Sequence, residues 1–284
     1  MGTVGSFKAK SIEVNAIKYE KDNMKTAEHP VLPFTISFES EHHIYRDQEG
    51  TQYTSGTEFV KRFFEPFDAP AAAERIAARD GRLALDILAE WKAKGEAAAT
   101  AGNIVHAYAE SLLNDFPIPD PSNPEEARTF GIVDRTMEML IESGYEPLGA
   151  EQLIFDPLYH IATQIDLPCR NTRTGALAIL DWKTCESITL DNYGRMALSP
   201  IAHVPDCKVE HYTLQLSLTA WLLTEPGYTS YPSEGEPVEL ALIHVPHVGE
   251  DPVWRPLAYR GAEITAMVDG QQTEMVNGSS IREE

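Results

Sequence analysis

Basic residues are scarce in this chain: Lys and Arg total 23 against 44 Asp and Glu, giving a net charge of −21 at pH 7 and a pI near 4.8. That shortage argues against capture of nucleic acid by a broad basic surface, which works by neutralising many phosphates at once. It leaves a local basic groove open, because steering depends on where charges sit rather than on their sum. Cysteine is scarcer still. Cys169, Cys185 and Cys207 stand far apart with no CxxC spacing, which excludes a disulfide framework and argues against a zinc ribbon or four-cysteine cluster. Reduced thiols and a cytoplasmic setting are expected. No apolar run approaches the roughly 18 residues of a membrane span, and MGTVGSFKAKSIEV at the start lacks the apolar stretch of a secretory signal, so no membrane partner is expected. Repeats and low-complexity tracts are missing too. What remains is an ordinary globular balance, 284 residues with 43% hydrophobic and 24% charged, enough for one large domain or two small ones.

HPVLPFTISFESEHHIY reads as a strand with partial alternation at Phe34, Ile36 and Phe38, and DQEG (47–50) as a turn. TQYTS then leads into a helix that Ser55 or Thr57 can cap, with Phe59, Val60, Phe63 and Phe64 at helical spacing and Pro66 closing it. From Ala71 to Leu113 the chain is Ala-rich and helical, with breaks predicted near Gly81 and Gly102. PIPDPSNPEE (117–126) reads as a loop, and FGIVDRTMEMLIESG as a helix ending at Gly144. Strands follow over 145–183, and NTRTG between two apolar runs signals a hairpin. A long irregular connection (186–209) precedes the helix EHYTLQLSLTAWLLTE, a loop over 227–237, the strand VELALIHVPH and the closing helix YRGAEITAMV. This order predicts an α/β fold, a mixed central β-sheet flanked by helices with an N-terminal helical section. Residues 1–50 read as an extension carrying a β-hairpin, 51–268 as the main domain and 269–284 as a disordered tail.

One stretch, ALAILDWKTCES, carries chemistry. Strand alternation puts Asp181 and Lys183 on one face and Leu180 and Trp182 on the other. Asp166 ends the preceding strand of the hairpin and can lie beside Asp181. Two carboxylates at neighbouring strand ends with a lysine two residues on suit a hard cation such as Mg²⁺ or Mn²⁺. Such a cation acidifies water and polarises a phosphoryl oxygen, while the lysine steadies developing negative charge. Alone, Asp-x-Lys is an ordinary strand-end ion pair. Glu151 begins another strand, as a solvated edge residue, a metal ligand or an acceptor beside one. His106, in GNIVHAYAE, shares a helix face with Glu110; a lone helical histidine is usually structural. Gln215 is placed to reach a lysine, a water or a phosphate. The order of the set is what sharpens the reading: Gly-x-x-x-His on a helix, Glu, Asp, Asp-x-Lys, then Gln-Leu on a helix.

This arrangement resembles the PD-(D/E)XK nuclease superfamily, in its RecB-like and phage exonuclease branch. The likeness rests on GNIVHAYAE (102–110), the Glu151 strand, IATQID (161–166), AILDWKT (178–184) and HYTLQLSLTAWLLTE (211–225). YTSGTEFVKRFFEPFD (53–68) and PIAHVPDCKVEHYTLQLS also look like phage members, so about residues 50–268 are covered. The resemblance implies a restriction-endonuclease-like core in which Asp166 and Asp181 hold the metal, His106 is a further ligand and the Trp182 carbonyl completes the set. It implies Lys183 as the catalytic lysine, Gln215 as the glutamine beside it and Glu151 as the early acidic residue. Gln164 departs from the family's small residue two before the first Asp, and Thr219 from its usual tyrosine.

The activity so implied is Mg²⁺- or Mn²⁺-dependent hydrolysis of DNA, linear and single- or double-stranded, by an exonuclease of a phage or mobile element serving recombination, repair or degradation. Arg170, Arg173, Arg195 and Lys208 are candidate DNA contacts beside Lys183. A homo-oligomer or a recombination partner protein fits the same family. The alternative from another class is a noncatalytic acidic DNA mimic or regulatory binding protein on a nuclease scaffold, which the charge favours and the intact acidic set opposes.

Overall fold

The computed structural model describes residues 18–19, 24–114, 116–224, 238–245 and 251–280. Residues 1–17, the loop expected over 227–237 and residues 281–284 lie outside them. The protein is mixed α/β, but its strands divide between two mixed sheets instead of forming one central sheet.

The first sheet begins as a meander of β1 (Lys18–Tyr19), β2 (Met24–Glu28), β3 (Thr35–Glu39), β4 (Ile44–Asp47) and β5 (Gln52–Ser55). HPVLPFTISFESEHHIY is thus two antiparallel strands rather than one, because SEHH (40–43) folds into the turn between them. Alternation along these strands buries Ile36, Phe38, Tyr45 and Tyr53 on one face. At its far edge β5 pairs in parallel with β8 (Ile161–Ile165), which pairs antiparallel with β7 (Gln152–Asp156). Leu153, Phe155 and Ala162 join the same apolar layer. Residues 24–50 are therefore built into the sheet of the main domain and do not stand apart from it.

The second sheet has the order β12 (Val253–Leu257), β11 (Val238–His244), β10 (Leu177–Lys183), β9 (Leu167–Asn171), β6 (Tyr145–Pro147). Only β10 and β11 run parallel in it; β12 was not anticipated. β9 and β10 form the hairpin expected around NTRTG. One face, carrying Leu177, Ile179, Leu240 and Leu242, packs on α5 (Lys208–Thr224), α6 (Gly261–Ser280) and α1 (Gly56–Lys61). The other face, carrying Ala178, Leu180, Trp182, Ala241 and Ile243, packs on α3 (Ala84–Leu113) and α4 (Pro124–Glu142). Helix α5 is buried almost all round, so its sequence shows a continuous apolar run more than a stripe.

Local signals set the helix starts. The Ser55 side chain caps α1, and Asp68 caps α2 (Ala69–Asp80), which stops at Gly81 in the left-handed conformation. Asn123 caps α4 at Pro124, six residues before the predicted start. The break predicted at Gly102 does not occur: α3 is one helix of 30 residues, about 45 Å at 1.5 Å per residue. Gly102 is there for closeness, since a Cβ at that position would sit 3.2 Å from Thr184 Oγ1, and Thr184 Oγ1 donates to the Ala98 carbonyl at 2.9 Å. Helix α6 likewise continues through Ser280, where the sequence reading expected tail from residue 269. No helix among the described residues is long and apolar enough to cross a membrane.

Candidate metal centre

Asp166 is the single residue between β8 and β9, the point where the chain leaves one sheet for the other. It therefore precedes the strand that pairs with β10, where the sequence reading had it ending that strand. The register Leu180↔Leu167 nevertheless sets it beside Asp181, as expected. The Trp182 N–H donates to Asp166 Oδ2 at 3.1 Å. The Trp182 carbonyl leaves the strand on that same side, because the Lys183 carbonyl is turned the other way to accept from Val245 N at 2.8 Å. The indole of Trp182 is buried among Val105, Tyr108 and the α4 side chains, so the expected division of faces along AILDWK holds.

Helix α3 delivers His106 from its seventh turn rather than from a helix start. Its C-cap residue, Asn114, ties this helix to the approach to β7: the side-chain amide donates to the Ala150 carbonyl and accepts from Ala150 N, both at 3.1 Å. Glu151 follows with φ of 52°, and its N–H donates to the Asp166 carbonyl at 3.1 Å. A non-glycine residue in that region is strained and persists only where its surroundings enforce it. The outcome is that Glu151 Oε1 lies 2.7 Å from His106 Nδ1, while His106 Nε2 lies 3.7 Å from Asp166 Oδ2.

These groups open onto a cavity of about 420 Å³ lined also by Asp181, Lys183, Gln215, Glu110 and Lys25. Ligand atoms of His106, Glu151 and Asp166 all lie within 4.8 Å of one another. Imidazole nitrogen with carboxylate oxygens is a donor set that Mg²⁺ or Mn²⁺ accepts. The charge fits as well. Glu110, Glu151, Asp166 and Asp181 carry four negative charges against two on Lys25 and Lys183, and one divalent cation balances the remainder while His106 is neutral.

Without such a cation the cluster sheds its surplus through protons. Burial pushes the Asp181 carboxyl up, and Asp166 adds to that; Lys183 pulls back, leaving it at about 6. Burial also raises Asp166, with His106 opposing. Burial alone would depress His106, but Asp166 and the hydrogen bond to Glu151 outweigh it and lift the imidazole to about 9. Lys183 behaves alike: desolvation works against its charge, yet Asp181 and Asp166 together hold it above its ordinary value. Its ammonium is ion-paired with Asp181 and lies 4.7 Å from the centroid of the Tyr212 ring.

Among side-chain ligands, the three-residue cluster differs from the expected His106, Asp166 and Asp181 in one member. Glu151 stands with His106 and Asp166, while Asp181 is engaged by Lys183. All five residues nonetheless border one cavity, and Gln215 reaches it from α5. The four candidate DNA contacts do not. Arg170 pairs with Leu177 and Glu146 at the opposite end of β9, four residues or about 13 Å from Asp166. Arg173 occupies the turn linking β9 to β10. Arg195 is bound to Glu65 O and Asp206, each at 2.7 Å, and Lys208 donates to Ser187 O at 3.1 Å. Sequence reasoning missed Lys25, Asn114 and Tyr212. Lys25 and Asn114 matter only through tertiary neighbours, and Tyr212 stands in the apolar-rich helix EHYTLQLSLTAWLLTE with no local signal to mark it.

No protein-family model and no curated protein matches this sequence.

Proposed function

We propose that this chain is a Mg²⁺- or Mn²⁺-dependent deoxyribonuclease of the PD-(D/E)XK type, an exonuclease of a phage or mobile element working in DNA recombination, repair or degradation. The observation that carries the reading is the meeting of Asp166, Asp181 and Lys183 with His106 and Glu151 on one cavity. His106, Glu151 and Asp166 reach the cavity from elements other than β10, so an isolated Asp181–Lys183 strand-end ion pair does not account for the set. A five-stranded sheet with a parallel β10–β11 pair and helices on both faces is in keeping with a restriction-endonuclease-like core.

A divalent cation held by His106, Glu151 and Asp166 would polarise a phosphoryl oxygen and acidify water. The chain's own residues supply the rest. Lys183, held above its ordinary pKa, keeps its proton at neutral pH, so it serves as a fixed positive charge facing the phosphate and not as a base. Asp181 fixes the direction of that ammonium. Gln215 offers an amide to orient water or a phosphoryl oxygen, and the Gln164 Nε2 donor in the cavity wall has no partner among the described residues. Linear and circular DNA incubated with wild type, Lys183→Ala and Asp181→Ala, with Mn²⁺ or with EDTA, tests this. Loss of linear DNA only with wild type and metal is expected, and end-labelled substrate reads the polarity. Absence of metal-dependent cleavage on every DNA overturns the proposal. Tight capture of a DNA-binding protein, competed by DNA, would point instead to the acidic mimic.

A further inference from the structure

The acidic half of the cavity contains a cation that the core does not provide. Lys25 comes from β2, in the N-terminal sheet, and its Nζ lies 2.7 Å from Glu110 Oε1 and 4.0 Å from Glu151 Oε2. The Lys25 side chain is 12% exposed and its two partners 16% and 11%. Glu110 stands one helical turn beyond His106 on α3, and the other oxygen of Glu151 is taken by His106. The two carboxylates that could hold a second metal ion therefore already share an ammonium group. Resting on the reading that His106, Glu151 and Asp166 hold a divalent cation, we propose that Lys25 occupies the place of a second one and limits the centre to a single ion. Charge supports this, since among the described residues lining the cavity four carboxylates and two lysines leave two negative charges, the capacity of one divalent cation. Lys25 is a positioning residue in this account. It faces Glu151 away from solvent, and it makes the N-terminal sheet a working wall of the centre.

The test is calorimetric titration of Mn²⁺ into the metal-free full chain, with no activity measurement involved. Wild type is expected to bind one Mn²⁺. Lys25→Met removes the charge and keeps most of the stem; it is expected to bind two, or to bind the first at least tenfold more tightly, because a positive charge 4.0 Å from Glu151 Oε2 is gone. Lys25→Arg should behave as wild type. Two Mn²⁺ ions bound to wild type would overturn the inference without any variant, as would one ion of unchanged affinity in Lys25→Met. Failure of wild type to bind Mn²⁺ at all would sink the metal-centre reading itself, a different result from either.

Discussion

Replacing Lys183 by Met should destabilise the metal-free protein by an amount that grows with pH. Asp181 titrates at about 6 in place of its usual 3.8. At about 1.36 kcal/mol per pH unit, keeping it ionised at pH 8 already costs on the order of 3 kcal/mol with Lys183 present. The sign follows from the raised folded value: the penalty is present above pH 6 and is relieved as pH falls through it. Without Lys183 the carboxylate keeps its burial and its repulsion from Asp166 but loses its counter-charge, so its pKa climbs further. A buried charge stripped of its partner costs about 3–5 kcal/mol. At pH 8 the variant is expected to lose about 3 kcal/mol relative to wild type. At pH 5 Asp181 takes up a proton in both proteins, and the loss should shrink to about 1 kcal/mol. Lys183 stays charged throughout that window, so it contributes no titration of its own. Urea unfolding in EDTA at the two pH values measures the difference, and adding Asp181→Asn in the Lys183→Met background should restore much of the loss at pH 8 only. Equal losses at both pH values, or a loss under about 1 kcal/mol at pH 8, would refute the reasoning.

Three further outcomes follow from the same geometry. The His106 ring, followed by NMR in the metal-free protein, should titrate near 9, stabilising the fold below its unfolded value of 6.5 and ceasing to do so as pH rises through 9; Mg²⁺ should lower that value by competing with the proton, and a titration near 6.5 would contradict the ion cluster. Asp166→Asn should weaken Mn²⁺ binding at least tenfold and abolish cleavage, while Leu218→Ala, which removes a fully buried side chain from α5, should cost about 2–5 kcal/mol and leave Mn²⁺ affinity within about twofold. Arg170→Ala and Arg173→Ala, remote from the cavity along β9, should leave the rate of DNA degradation within about twofold; a tenfold loss in either would put DNA along that end of the hairpin.

Much of this was legible in the chain alone because it depends on local chemistry. Strand alternation separated Asp181 and Lys183 from Trp182, NTRTG marked the hairpin, and Ser55 or Thr57 marked the start of α1, which Ser55 caps; each depends on neighbours a few residues away. Order along the chain singled out His106, Glu151, Asp166, Lys183 and Gln215, and the fold sets all five on one cavity. Distance in space was beyond that reading. Gly102 looked like a helix break because its propensity is poor, whereas its lack of a Cβ serves the approach of Thr184 from another element. The two-sheet division hangs on Asp166: the sequence reading has it ending one strand of the hairpin, whereas backbone pairing puts the strands on its two sides in different sheets. Arg170 seemed near the site because only a few residues part it from Asp166, yet an extended strand carries it about 13 Å away. Lys25 shows the limit most plainly. Some 80 residues separate it from His106, and nothing about MKTAE foretells that its single positive charge will be shared by two carboxylates of a distant helix and turn. Periodicity and order determined which residues carry chemistry; the tertiary structure decided which of them share charge, because Coulomb interaction depends on ångströms and not on sequence separation.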